Sequence, residues 1–338
     1  MTDWLQQIAL QRAGSQYGSH QTAVSPGDFF AVLDHLGHIA FSGDDAASFL
    51  HNQLTNDVEH LATNQARLAG YCSPKGRMLA SLYFWRAENA IVMQLPRELL
   101  QSVQKRLQMY VLRAKVKITD SSDDTVAFGF AGNGATTVLQ RWFEVLPVAC
   151  FDKVDNAAGT LIRSSDANNQ PRWVWVTSTT FASGVLSQIA DQLKFVDAAH
   201  WRLSEIHAGL PHITLATQEK FVPQMINFEA IGGVNFKKGC YPGQEIVARS
   251  QYLGSVKRRM LPASIATVSV AAGMEVFSDA DSTQPCGIIV NAELSTDGRM
   301  DCLVEVKLAA HESGAIHLGV DGPLLHFSPL PYLLPDAA

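Results

Sequence analysis

Residues 234–259, VNFKKGCYPGQEIVARSQYLGSVKRR, place one thiol, Cys240, at the centre of a run dense in glycine and positive charge, and the reading of the rest follows from it. Pro242 pre-sets a backbone angle suited to a first helical turn, and Gly243, Gln244 and Glu245 lead into Ile246, Val247 and Ala248, so a short helix is expected just after the cysteine. The sulfur would then sit at the positive end of a helix dipole, with Lys237 and Lys238 before it and Arg249 about two turns beyond, three cations that favour thiolate over thiol. Gly239 and Gly243 leave the backbone bare enough for close approach. The bland alternative is that Cys240 is a small buried hydrophobe, the usual fate of a lone cysteine.

The length of 338 residues implies two or three domains. A hydrophobic share of 47% against 17% charged fits a soluble chain, and no uninterrupted apolar run reaches the length of a membrane span. The opening MTDWLQQIALQR lacks the basic and apolar regions of a secretory signal, so a cytoplasmic location is expected. The five cysteines, Cys72, Cys150, Cys240, Cys286 and Cys302, include no C-x-x-C pair, which argues against a disulfide framework, a zinc site or a self-sufficient iron-sulfur site. A net charge of −6 speaks against direct, stable nucleic-acid binding by the whole surface. Locally, Lys237, Lys238, Arg249, Lys257, Arg258 and Arg259 outnumber Glu245; such a run is usually a solvated face, and beside a thiol it suits a polyanion such as a folate polyglutamate tail or an acidic protein patch.

Along the chain, residues 2–12 read as a helix capped by Thr2 or Asp3, and residues 29–41 as one strand. A helix capped near Ser42, Gly43 and Asp44 runs through Phe49 and Leu54, followed by a meander at 67–72, 77–85 and 90–95. Leu99, Leu100, Val103, Leu107 and Val111 form one helical stripe. A β-β-α-β-β-α order covers residues 114–193, with turns at 152–156 and 164–171. Trp201 opens a helix that Gly209 and Pro211 end. Short apolar runs at 256–261, 274–277, 287–290, 301–308, 314–319 and 324–327 read as a small antiparallel barrel. His51, His60 and His212 show no metal-ligand spacing and are assigned to surface or satisfied core.

The run K-G-C-Y-P-G-Q-E, with Arg249, Gly254, Lys257 and Arg258 after it, closely resembles the signature of the YgfZ family of folate-binding proteins, relatives of the glycine cleavage T-protein implicated in iron-sulfur cluster assembly or repair. SGDDAASFLHNQLTNDV and the turn Pro74-Lys75-Gly76-Arg77 resemble further family features. The resemblance implies an α+β fold: a two-lobed T-protein-like folate-binding region over residues 1–250, one lobe from 30–115 with 198–250 and an interleaved lobe over 116–197, then a small antiparallel β-barrel over 251–338. It implies tetrahydrofolate or another reduced folate as cofactor, iron-sulfur enzymes (including tRNA-modifying ones) or assembly factors as partners, and no membrane. Cys240 would be the reactive residue, tuned by Lys238 and Arg249; Trp201, Leu36, His207, Tyr241, Gln244 and Glu245 would make the cofactor site.

The sequence departs from the superfamily pattern at three points. His207 stands where a pterin-binding glutamate is expected and cannot accept paired N–H bonds as a carboxylate does. Leu79 and Ala80 occupy the neighbourhood of a catalytic aspartate, leaving no acid there. Leu36 replaces a folate-stacking tryptophan. Two rivals follow: a folate-dependent one-carbon (aminomethyl-type) transferase, and a non-catalytic scaffold recruiting partners through the basic surface at 237–259.

Overall fold

The computed structural model describes residues 27–252 and 256–335; the expected helix at 2–12 and Gly254 lie outside them. The meander forms as its alternation dictates. Strands β3 (Ala66–Cys72), β4 (Met78–Arg86) and β5 (Ile91–Pro96) pair antiparallel, and β2 (Leu36–Ser42) and β6 (Lys117–Asp120) complete a five-stranded sheet in the order β3-β4-β5-β2-β6. Helix α1 (Ala46–His51) follows β2, and α2 (Arg97–Gln108) covers the sheet, burying Leu99, Leu100, Val103 and Leu107.

Residues 29–41 are two strands rather than one. Leu36 N–H donates to Leu33 O at 3.1 Å, closing a turn that holds Asp34 and His35, so β1 (Phe29–Val32) joins a different sheet from β2. That second sheet runs β11-β1-β7-β10-β9-β8, adding β7 (Thr125–Ala131), β8 (Lys153–Asn156), β9 (Gly159–Ala167), β10 (Gln170–Ser178) and β11 (Lys194–Val196). The stretch expected as a turn at 152–156 is therefore mostly strand, paired with β9, and β11 runs parallel to β1. Both are too short and too polar to show a period of two. Helices α3 (Asn133–Leu139) and α4 (Thr179–Ala190) pack on this sheet around Trp175 and Phe130, and the Ser178 hydroxyl caps α4 by accepting from Phe181 N–H at 3.1 Å.

Helix α5 (Ala198–His207) starts at Asp197, whose carboxylate accepts from His200 N–H at 3.0 Å. It stops where Gly209, at φ +66°, lets Leu210 N–H reach back to Glu205 O at 2.9 Å and Gly209 N–H to Ile206 O at 3.0 Å. A 3₁₀ turn (Pro223–Ile226) and α6 (Gln244–Tyr252) lead to the third sheet. Its order is β16-β13-β14-β15-β12-β17, with β12 (Arg258–Ile265), β13 (Glu275–Ser278), β14 (Gly287–Leu294), β15 (Met300–Lys307), β16 (Ile316–Leu318) and β17 (Leu325–Phe327). Each of the six apolar runs became a strand; α7 (Leu308–Ser313), which carries no buried residue, was not legible. His317 bridges Leu324, bringing the outer strands together into a nearly closed barrel. Among the described residues no helix is long and apolar enough to cross a membrane.

Candidate functional site

The barrel docks against α5 through polar contacts, and the gap they leave is a cleft. Arg202 pairs with Glu293, His207 Nε2 lies 2.8 Å from Asp301 Oδ2, and Asn291 bonds both backbone groups of His212, at 2.8 and 3.0 Å. Between these contacts, the Asp34 and His35 turn and the start of α2, lies a cleft of about 670 Å³, walled with Pro96, Ile206, Leu210 and Val270. Glu205, Leu210 and His212 also line a neighbouring enclosed void of about 20 Å³, room for about one water.

Glu205 is the only acid lining that void. The end of α5 fixes its backbone, and the residue is 4% exposed. One carboxylate oxygen lies 3.2 Å from His212 Nε2; the other is buried without a partner. Burial alone would raise the carboxyl's pKa, but His212, His35 and Arg172 hold it down to about 2. Burial disfavours the charged form of His212, yet Glu205 outweighs it and raises the imidazole's pKa. His35 behaves oppositely. Burial, helped by Arg202 and His212 against the pull of Glu205, lowers it to about 4, leaving a neutral ring whose two nitrogens are both unpartnered. A buried carboxylate oxygen and a buried imidazole, both unpaired beside apolar walls, make a place for a ligand with N–H donors on one edge.

The residues singled out by sequence are not gathered here. Trp201, expected to stack on a pterin, is fully buried: a methyl group at Gly129 would come within 2.4 Å of its ring, and the Arg172 guanidinium lies 4.8 Å from a ring centroid. It belongs to the core. His207 is spent on Asp301 and, through Nδ1, on Asn168 at 3.0 Å, and lines neither cavity; the carboxylate reaching the centre is Glu205, half a turn earlier. Leu36 does line the void. His212, assigned to surface or satisfied core, is an arm of the central ion pair, whereas His51 is buried with Nδ1 3.1 Å from Asp57 and His60 is exposed.

Cys240, Tyr241, Gln244 and Glu245 line neither cavity. The helix after the cysteine forms as expected, as α6, and Cys240 is exposed. Lys238 points away from solvent: its ammonium donates to Leu54 O at 2.9 Å and to His51 O, covering the C-terminal end of α1. Burial lowers its pKa to about 8, opposed by Asp57 and Cys240. Its charge sits 4.9 Å from the ring centroid of buried Tyr241. Arg249 is exposed on α6 without an ion pair among the described residues. Gly243, at φ +80°, lies so close to the turn at 73–76 that an added Cβ would fall 2.5 Å from Ser73 O and Gly76 N. Arg77 is structural, donating to Lys220 O.

Residues 29–201 match the family described as the GCVT N-terminal domain. The chain is 31% identical over 309 residues to the tRNA-modifying protein YgfZ of Klebsiella pneumoniae (strain 342), covering 90% of this chain and 93% of that protein. The chain belongs to the YgfZ family. Yersinia pestis (strain Pestoides F) YgfZ is likewise 31% identical over 90% of this chain and 92% of its own length. The YgfZ-family chain also superimposes on the crystal structure of glycine cleavage system aminomethyltransferase T from Bartonella henselae with a TM-score of 0.71 at 17% identity, over 91% of this chain and 86% of that one. The YgfZ fold here is thus the T-protein-like α+β arrangement followed by an antiparallel barrel.

Proposed function

We propose that this chain binds tetrahydrofolate or another reduced folate in the cleft between α5 and the barrel, and that it supports iron-sulfur cluster assembly or repair in cytoplasmic tRNA-modifying enzymes, with Cys240 as its reactive thiol. The observation that carries the cofactor half is the buried, unpartnered oxygen of Glu205, a residue that lines both the cleft and the void. A pterin carries N–H donors along one edge, and Glu205 accepts from them while neutral His35 offers one donor and one acceptor. Apolar Pro96, Ile206 and Leu210 suit the flat ring, and Arg97 and Arg202 at the cleft suit the glutamate carboxylates. When bound, a reduced folate supplies one-carbon chemistry.

The tRNA-modification half is supported by the names of the relatives, and the role of Cys240 by its exposure on a cation-bearing loop. An aminomethyl-type transferase is less well supported: Leu79 and Ala80 are apolar and buried in β4, and Glu205 is engaged with His212. Calorimetry with tetrahydrofolate and its one-carbon forms tests the cofactor half. Wild type should bind at least one of them and Glu205→Gln about tenfold more weakly; failure of every folate to bind wild type removes it. The thiol half is tested in a Cys150→Ser background, since Cys150 is also exposed. Iodoacetamide should alkylate Cys240 in the folded protein as its exposure requires, and protection from alkylation would remove the thiol half.

A further inference from the structure

Between Glu98 and Asp120 the chain carries no acidic residue, while Lys105, Arg106, Arg113, Lys115 and Lys117 are all cations. Among the described residues only Lys115 of these has an ion pair, at 3.2 Å to Asp44. At the tip of this basic segment, just past α2, three large apolar side chains stand in solvent: Met109 is 63% exposed, Tyr110 44% and Leu112 89%. Leu112 is held there at φ 45°, a left-handed conformation that costs a bulky residue about 1 kcal/mol or more. Hydrogen bonds flank it on both sides, with Tyr110 N–H to Leu107 O at 3.0 Å and Ala114 N–H to Val111 O at 2.8 Å. The fold therefore presents an apolar knob within a segment of positive charge, on a loop braced at both sides, and a braced knob loses less entropy on docking than a free loop.

We propose that residues 109–113 form a docking knob for a partner protein that presents an apolar pocket rimmed by carboxylates. The charge pattern selects acidic surface, and the aliphatic Leu112 and Met109 select a pocket over stacked bases, for which Tyr110 is the only aromatic. Two aliphatic side chains are also little anchorage for a bilayer. Arg106 and Tyr110 act electrostatically on the Tyr71 hydroxyl near the end of β3. The proposal stands independently of folate binding.

The test is selection of a random dodecapeptide phage library on the full-length protein, followed by titration of the selected peptides. Expected are sequences that combine Asp or Glu with a central Leu, Phe or Trp, and that bind about tenfold more weakly to Leu112→Ser. Arg113→Glu should weaken them too and flatten their salt dependence, with both variants melting as wild type because the changed side chains are exposed. The idea is overturned by peptides lacking that acidic-apolar pattern, or by equal binding to Leu112→Ser. It is also overturned if tRNA, phosphatidylglycerol vesicles or a second copy of the chain binds in a Leu112-dependent way instead.

Discussion

The central cleft and the Cys240 loop are built by opposite means. The cleft gathers His35, Glu205, His212 and Asn291 from segments far apart in sequence, and its buried charges are held in place chiefly by one another. The loop is contiguous, and its thiol is in the open. Its support comes from backbone: Lys238 on the carbonyls that end α1, and Gly243 against the turn at 73–76. Damage to a cleft charge should therefore spread through the whole fold, whereas damage at the loop should stay local.

The largest expected effect follows from removing the buried carboxylate. Glu205→Ala leaves the fully buried Arg172 without the carboxylate that favours its charge and His212 without its partner, and should cost about 3–5 kcal/mol in urea unfolding. A cost below about 1 kcal/mol would mean that the pair contributes nothing net. Acid stability separates the buried histidines from the loop next. Buried His38, bonded to Gln94 and Thr125 at 2.9 Å each, has its pKa lowered from 6.5 to about 4 by burial and by Arg97. Its folded value lies below its unfolded one, so its contribution is intact above pH 6.5 and is lost as pH falls toward about 4, by about 3 kcal/mol in all. His35 adds loss in the same window, and Glu205 adds its own between its ordinary 4.5 and about 2. Unfolding midpoints measured across pH should show a shallower acid slope in His38→Gln and an unchanged one in Cys240→Ser.

The same contrast explains what the sequence disclosed. The meander, the α2 stripe and the six barrel strands were legible because each is a local pattern of apolar spacing. The Cys240 loop was legible because its chemistry is contiguous. Glu205 was hidden two residues from the position that the family pattern pointed to, and nothing in a single sequence says that His207 turns to Asp301 in the barrel. His35 carries no periodicity at all; it matters because a turn splits 29–41 into strands of two different sheets. Trp201 misled for a related reason, since Gly129, which accommodates its ring in the core, lies far away in sequence.

A smaller effect is expected at Gly243→Ala. The new methyl group meets Ser73 O and Gly76 N at 2.5 Å in a backbone conformation that L-residues avoid, so the loop must shift at a cost of about 1–3 kcal/mol. Amide exchange should quicken across residues 236–244 while ligand binding in the cleft is retained; quickening at α5 as well would show the regions to be one cooperative unit.

The smallest change in stability, and the sharpest comparison, belongs to Cys240→Ser. The thiol is exposed and makes no hydrogen bond among the described residues, so the substitution should move unfolding by no more than about 0.5 kcal/mol. Because Cys240 lines neither the cleft nor the void, folate affinity should stay within about twofold of wild type. If Cys240 is the working thiol, the variant should still fail to restore tRNA modification in cells lacking the protein, although it is folded and ligand-competent. A large loss of folate affinity in Cys240→Ser would break the comparison from the other side, because it would require the loop to close over the cleft on binding.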